Sequence, residues 1–145
     1  MGKRLIDANV LLRYLLRDDP DLYARSIQVL EKVRTGEQTA IIPEGVLVEC
    51  VYVLLKVYSV ERETIADRLI GLLSYRGIAN SDKKVFIQAL TFFARTKLNM
   101  VDCLLWVRAL HEEIEIITFD EALEKKVMKG RLKRPNESNY SERPK

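Results

Sequence analysis

The chain has 145 residues, 48% of them hydrophobic and 31% charged, with a formal net charge of +3. This is an ordinary balance for one compact domain that buries a core without staples. It excludes a membrane-spanning chain, since no apolar run approaches the roughly 20 residues a span requires. With two cysteines lacking metal-type spacing and His111 the only histidine, it also excludes a zinc site of the usual kind and any histidine triad not built on His111.

The opening MGKRLIDANVLL joins a basic start to an apolar stretch. Asp7, Asn9 and Arg13 interrupt that stretch and no small-residue cleavage pattern follows, so the reading is a cytoplasmic chain and not a secreted one. Lys3 to Ile6 reads as a buried strand ending at Asp7. A helix follows over NVLLRYLLR, with Val10, Leu11, Tyr14 and Leu15 on one stripe. Asp19 and Pro20 are a cap and a first-turn proline, opening a helix that Gly36 closes. Thr39 to Ile42 is a second strand, and Pro43 begins a helix to about Tyr58. Ser59 is expected to cap the next helix, ERETIADRLIGLLSY, which ends at Gly77. Residues 77–80 suit a brief strand, and Ser81 or Asp82 caps a helix through about Arg95. Asn99 opens the helix MVDCLLWVRALHEE. Glu115 to Phe119 is the clearest strand in the chain, with Asp120 at its end before a last helix.

Strands alternating with helices indicate an α/β fold with a central parallel sheet of about four to five strands flanked by helices. No repeat or linker divides the chain, so 1–130 is read as one domain. Residues 131–145 are polar, proline-containing and basic, and are read as a disordered tail. Lys125, Lys126, Lys129, Arg131, Lys133 and Arg134 make this end suited to a polyanion, or simply to solvent. Cys50 and Cys103 both sit in apolar helical text, consistent with buried thiols in a reducing compartment.

Four acids require an explanation. In an open parallel sheet, ligands gather beyond the carboxyl ends of the strands, where Asp7 and Asp120 stand; each is equally suited to capping the helix that follows. Asp102 has capping-box spacing from Asn99, yet lies in line with Leu105, Trp106 and Ala109, on a face read as inward. Glu49 occupies the middle of EGVLVECVYVLLKVY, a helix apolar on nearly every face, with Gly45 and Val53 one turn away on either side. A lone buried carboxylate costs several kcal/mol unless paired, protonated or bound to a cation. A distant arginine is one solution. A divalent cation is the other, since Mg²⁺ and Mn²⁺ prefer carboxylate oxygens. Such an ion binds phosphate oxygens and lowers the pKa of a bound water, which suits phosphodiester hydrolysis.

The segments LIDANVLLRYLLRDDP, IIPEGVLVECVYVL, LNMVDCLLWVRA and IITFDEAL resemble, in the same order, those of PIN-domain ribonucleases, and more closely the VapC-type toxins of toxin–antitoxin pairs. The resemblance covers roughly residues 4 to 128. It implies a PIN fold and metal-dependent RNA cleavage leaving a 5′-phosphate and a 3′-hydroxyl. It assigns Asp7, Glu49, Asp102 and Asp120 as direct or water-mediated Mg²⁺ or Mn²⁺ ligands, with Asn9, Asn99 and Thr118 as polar neighbours of that set. It further implies a homodimer and a small antitoxin that blocks the site. Many relatives carry an aspartate where this chain has Asn99, which removes a charge a second ion would use. The usual final strand is also hard to find after Gly130. A haloacid-dehalogenase-type phosphatase would need a second aspartate at position 9, and a response-regulator receiver would need an acidic pair at the first strand; neither is present. A catalytically inactive PIN scaffold that binds RNA or protein is the alternative.

Overall fold

A computed structural model describes residues 2–132. The tail expected beyond that point lies outside the described residues, although the last helix runs to Leu132, two residues past the expected boundary at Gly130. The chain forms two compact units, Met1–Lys83 and from Lys84 onward.

The first unit contains β1 (Arg4–Leu5), α1 (Ala8–Leu16), α2 (Pro20–Thr35), β2 (Ala40–Ile41), α3 (Glu44–Tyr52) and α4 (Arg62–Leu73). β1 and β2 pair in parallel with Arg4 opposite Ala40 and Leu5 opposite Ile41. The brief strand expected at 77–80 is reduced to a single parallel bridge between Ala40 and Ile78. Beyond it a side chain takes over the ladder: Asn80 Nδ2 donates to the Ile42 carbonyl at 2.7 Å, and Asn80 Oδ1 accepts from the Ile42 amide at 2.9 Å. Leu5 is 75% exposed, so β1 is not the buried strand its apolar text predicts.

Local signals set the helix ends in this unit. Asp19 Oδ1 accepts from the amides of Asp21 and Leu22, both at 3.1 Å, and Pro20 fills the first turn, where no amide is needed. Gly36 ends α2 at φ 88°, a left-handed conformation that suits glycine. Ser59 does not cap α4. It adopts φ 53°, and Glu61 precedes the helix without a side-chain cap bond. The reason lies in α3, which continues as a π-helical turn over Val53–Val57. This wider turn changes the register at which the chain leaves the helix. Leu11, Leu30, Val33, Ile42, Leu47, Cys50, Ile65, Leu69 and Leu73 are buried in this unit. On α1 the buried residues are Ala8, Leu11 and Leu12, so the stripe is rotated from the expected one and leaves Val10, Tyr14 and Leu15 half-covered.

The second unit holds α5 (Lys83–Arg95, whose first residue closes the first unit), α6 (Met100–Glu112) and α7 (Glu121–Leu132). Phe86, Leu90, Phe93, Cys103, Val107, Leu110, Leu123 and Val127 are buried. Phe92 stacks on Trp106 with ring centroids 3.8 Å apart, and a His111–Gln88 hydrogen bond also joins α5 to α6. Residues 115–119 form no strand, contrary to expectation; Ile117 is 98% exposed and Phe119 fully so. Alternating apolar residues describe a face that a strand could bury, whereas a strand also needs a neighbouring edge with which to exchange hydrogen bonds. The sheet among the described residues therefore has two strands plus the Ala40–Ile78 bridge, not about four to five. No described helix is long and apolar enough to cross a membrane.

Candidate acidic site

Each unit brings two of the four acids into one neighbourhood. In the first, Asp7 is the N-cap of α1, its Oδ1 accepting from the Val10 amide at 3.1 Å. Glu49 lies on α3, immediately before Cys50. The Cys50 thiol donates to the Ala8 carbonyl at 3.9 Å and so joins α3 to the start of α1. Burial, followed by the charges of Glu49 and then Asp7, pushes that thiol up to about 12. One buried sulfur thus senses both carboxylates.

In the second unit, Asp120 is the N-cap of α7. Its Oδ1 accepts from the amides of Ala122 and Leu123 at 2.9 and 3.1 Å, while Thr118 Oγ1 accepts from the Asp120 amide at 3.0 Å. Asp102 lies in the first turn of α6, behind an Asn99 cap whose Oδ1 accepts from the Asp102 amide at 2.8 Å. Partial burial, and secondarily the charge of Asp120, holds the Asp102 carboxyl above its ordinary range.

The capping explanation therefore holds for Asp7 and Asp120, but it occupies one oxygen of each. An ionised carboxylate offers about four acceptor sites, so a cap retains capacity for a second partner. Asp102 and Glu49 make no side-chain hydrogen bond, and none of the four acids forms an ion pair among the described residues. No three acidic, histidine or cysteine side chains among the described residues converge to hold an ion. The donor set nevertheless fits a hard divalent cation in kind, being carboxylate oxygen throughout.

The enclosure expected of Glu49 does not occur. Glu49 is exposed, because α3 buries Leu47, Cys50 and Val51 and leaves even Tyr52 62% exposed on the side toward solvent. The face of α6 carrying Asp102 is likewise only partly inward. Leu105 is exposed and Trp106 half-buried, while Cys103, Leu104 and Val107 take the core. What distinguishes Glu49 is that its charge and that of Asp7 both reach Cys50, and that it forms no ion pair among the described residues.

Cys50 and Cys103 are both fully buried, as expected. Neither should react with a thiol reagent at pH 8 until the chain is unfolded in denaturant, because Cys50 holds almost no thiolate at that pH and neither sulfur is accessible. Rapid labelling of the native protein would contradict this packing.

A cavity of about 230 Å³ between α1 and α2 was not evident from the sequence. Val10, Leu22 and Val29 supply its apolar lining, and Asn9, Arg13, Arg25 and Ser26 its polar lining. The Asn9–Arg13 spacing of one helical turn was the available signal.

Residues 4–127 match the PIN domain family, and the chain belongs to it. It is similar to the VapC ribonuclease of Aquifex aeolicus (strain VF5), at 28% identity over 124 residues that cover 84% of this chain and 90% of that protein. No solved structure matches the chain.

Proposed function

We propose that this protein is an Mg²⁺- or Mn²⁺-dependent endoribonuclease, the toxin component of a VapC-type toxin–antitoxin pair, with Asp7, Glu49, Asp102 and Asp120 as the metal ligands. The observation that carries this reading is that all four carboxylates lack a cationic partner among the described residues and retain unused oxygens. A bound divalent ion would supply charge stabilisation at the phosphate and a water of lowered pKa. The chain's own part is positioning. Helix capping holds the Asp7 and Asp120 carboxylates through Oδ1 and leaves each Oδ2 without a hydrogen bond among the described residues, available to a ligand. Thr118 and Asn99 act through the backbone, holding the Asp120 and Asp102 amides and with them the chain that carries each carboxylate. Asn9, without a side-chain hydrogen bond of its own among the described residues, is free to contact the substrate or the ligand set.

The RNA substrate follows from the activity named for the similar protein. Single-stranded or loop RNA is the favoured form, since it exposes its backbone and bases as a stacked duplex does not. A cytoplasmic homodimer silenced by a small antitoxin completes the proposal, in keeping with two buried cysteines. Cleavage of a single-stranded RNA should appear with Mg²⁺ or Mn²⁺, vanish with EDTA and return with excess metal. If no RNA is cut with either metal, the inactive-scaffold reading replaces this one.

A further inference from the structure

The α1–α2 cavity begins where the candidate site ends. Val10, whose amide is held by Asp7, forms part of its wall, and Asn9 stands beside it. Three residues of helix advance about 4.5 Å, a little more than the roughly 3.4 Å rise per nucleotide of a stacked strand. An RNA chain at Asp7 would therefore place a neighbouring nucleotide here.

The lining has the character such a nucleotide requires. Val10, Leu22 and Val29 offer an apolar surface for a base, while the charged groups are both arginines, with no carboxylate among the lining residues. Arg13 is held in place: its Nη1 donates to Asp18 Oδ2 at 2.9 Å, and the Tyr58 hydroxyl donates to the same oxygen at 3.3 Å. Its Nε is buried and has no hydrogen-bond partner, an unused donor on a fixed guanidinium. Arg25 is exposed and has no ion pair among the described residues, so its charge is uncompensated. Apolar walls with a planar cation at the rim suit a base and its phosphate together.

We propose that this cavity is the subsite for the RNA nucleotide next to the scissile phosphate, with Arg25 on its phosphate and Asn9 on the base edge. The proposal rests on the ribonuclease reading for its substrate, and its test separates the two. Binding of a fluorescently labelled single-stranded RNA would be followed in Mg²⁺ on the full chain carrying Asp102→Asn, with and without Arg25→Ala. Arg25 is an exposed helix residue with no ion pair or side-chain hydrogen bond among the described residues, so its removal leaves the fold intact, which circular dichroism would verify. Arg25→Ala should weaken binding about fivefold and lower the slope of log affinity against log salt by about 0.7, the loss of one phosphate contact. Arg25→Glu should weaken it further. On the otherwise wild-type chain, Arg25→Ala should raise KM for cleavage more than it lowers kcat.

If RNA binding depends on Arg25 in this way but the wild type cuts nothing with Mg²⁺ or Mn²⁺, the nuclease reading fails and the nucleotide subsite stands. Unchanged affinity and salt slope in Arg25→Ala would overturn the subsite, whether or not the wild type cleaves. Arg25-dependent capture of an acidic peptide, with RNA affinity unaffected, would likewise overturn it in favour of a protein-docking pocket.

Discussion

Asp7→Asn should reduce RNA cleavage by at least about a hundredfold while leaving the thermal midpoint within about 2 °C of the wild type. The two effects separate because Asp7 has two tasks. Its Oδ1 caps α1 through the Val10 amide, and asparagine is about as good an N-cap as aspartate. A metal ligand, by contrast, loses its charge in this substitution. Residues that merely support ligands cost 10- to 100-fold on mutation, so a direct ligand should cost at least the upper end of that range. Asp7→Ala should be equally inactive but also less stable by about 1 kcal/mol, through loss of the cap. The pair of variants, measured by cleavage rate and thermal unfolding, discriminates between cap and ligand. If Asp7→Asn cuts RNA as fast as the wild type, Asp7 is a cap alone and the ligand assignment is wrong.

Gly77→Ala should destabilise the chain by about 3 kcal/mol or more, the upper range for overpacking a filled site. A Cβ at Gly77 would lie 2.1 Å from the Gln38 carbonyl oxygen and 2.6 Å from that of Val33. Both are backbone atoms, so no side-chain rotation can relieve the contact. The same residue is tied on both sides, its amide donating to the Val33 carbonyl at 2.7 Å and its carbonyl accepting from the Ala40 amide at 2.8 Å. Relief would require the end of α2 to separate from the strand edge, breaking the bridge that attaches Ile78 to Ala40. Urea denaturation should show a lower midpoint with a similar slope. Stability within 1 kcal/mol of the wild type would refute the close approach of these backbones.

Much of the candidate site was legible because its signals are local. The caps at Asp7, Asp19, Asn99 and Asp120 act over two or three residues, so a helix start can be read without knowledge of the rest of the chain. The order of the four acid-bearing segments was legible for the same reason, and the match to the PIN domain family over residues 4–127 bears out the family resemblance. Asn99 illustrates the limit. The sequence marks it both as the opening of α6 and as a missing ligand charge, and the structure shows the first, its Oδ1 accepting from the Asp102 amide.

The opposite holds wherever burial or pairing decides. The apolar text around Glu49 was read as enclosure, whereas a helix is enclosed only on the sides where other elements lie, and Glu49 falls on an open one. The alternation in residues 115–119 predicted a strand, but pairing needs an edge from elsewhere in the chain, and Ile117 and Phe119 are left in solvent. The Arg13–Asp18–Tyr58 arrangement joins residues up to 45 positions apart through a π-helical turn that no periodicity announces.

The sequence by itself thus determined where most helices begin, which thiols are buried, and which family its four acid-bearing segments belong to. Tertiary structure alone decided which of those carboxylates meet solvent, which are neighbours, and that a cationic cavity opens one helical turn from Asp7. The division has a physical cause. Capping is satisfied within a few residues of the same chain segment, whereas desolvation and charge coupling depend on atoms brought close by contacts distant in sequence.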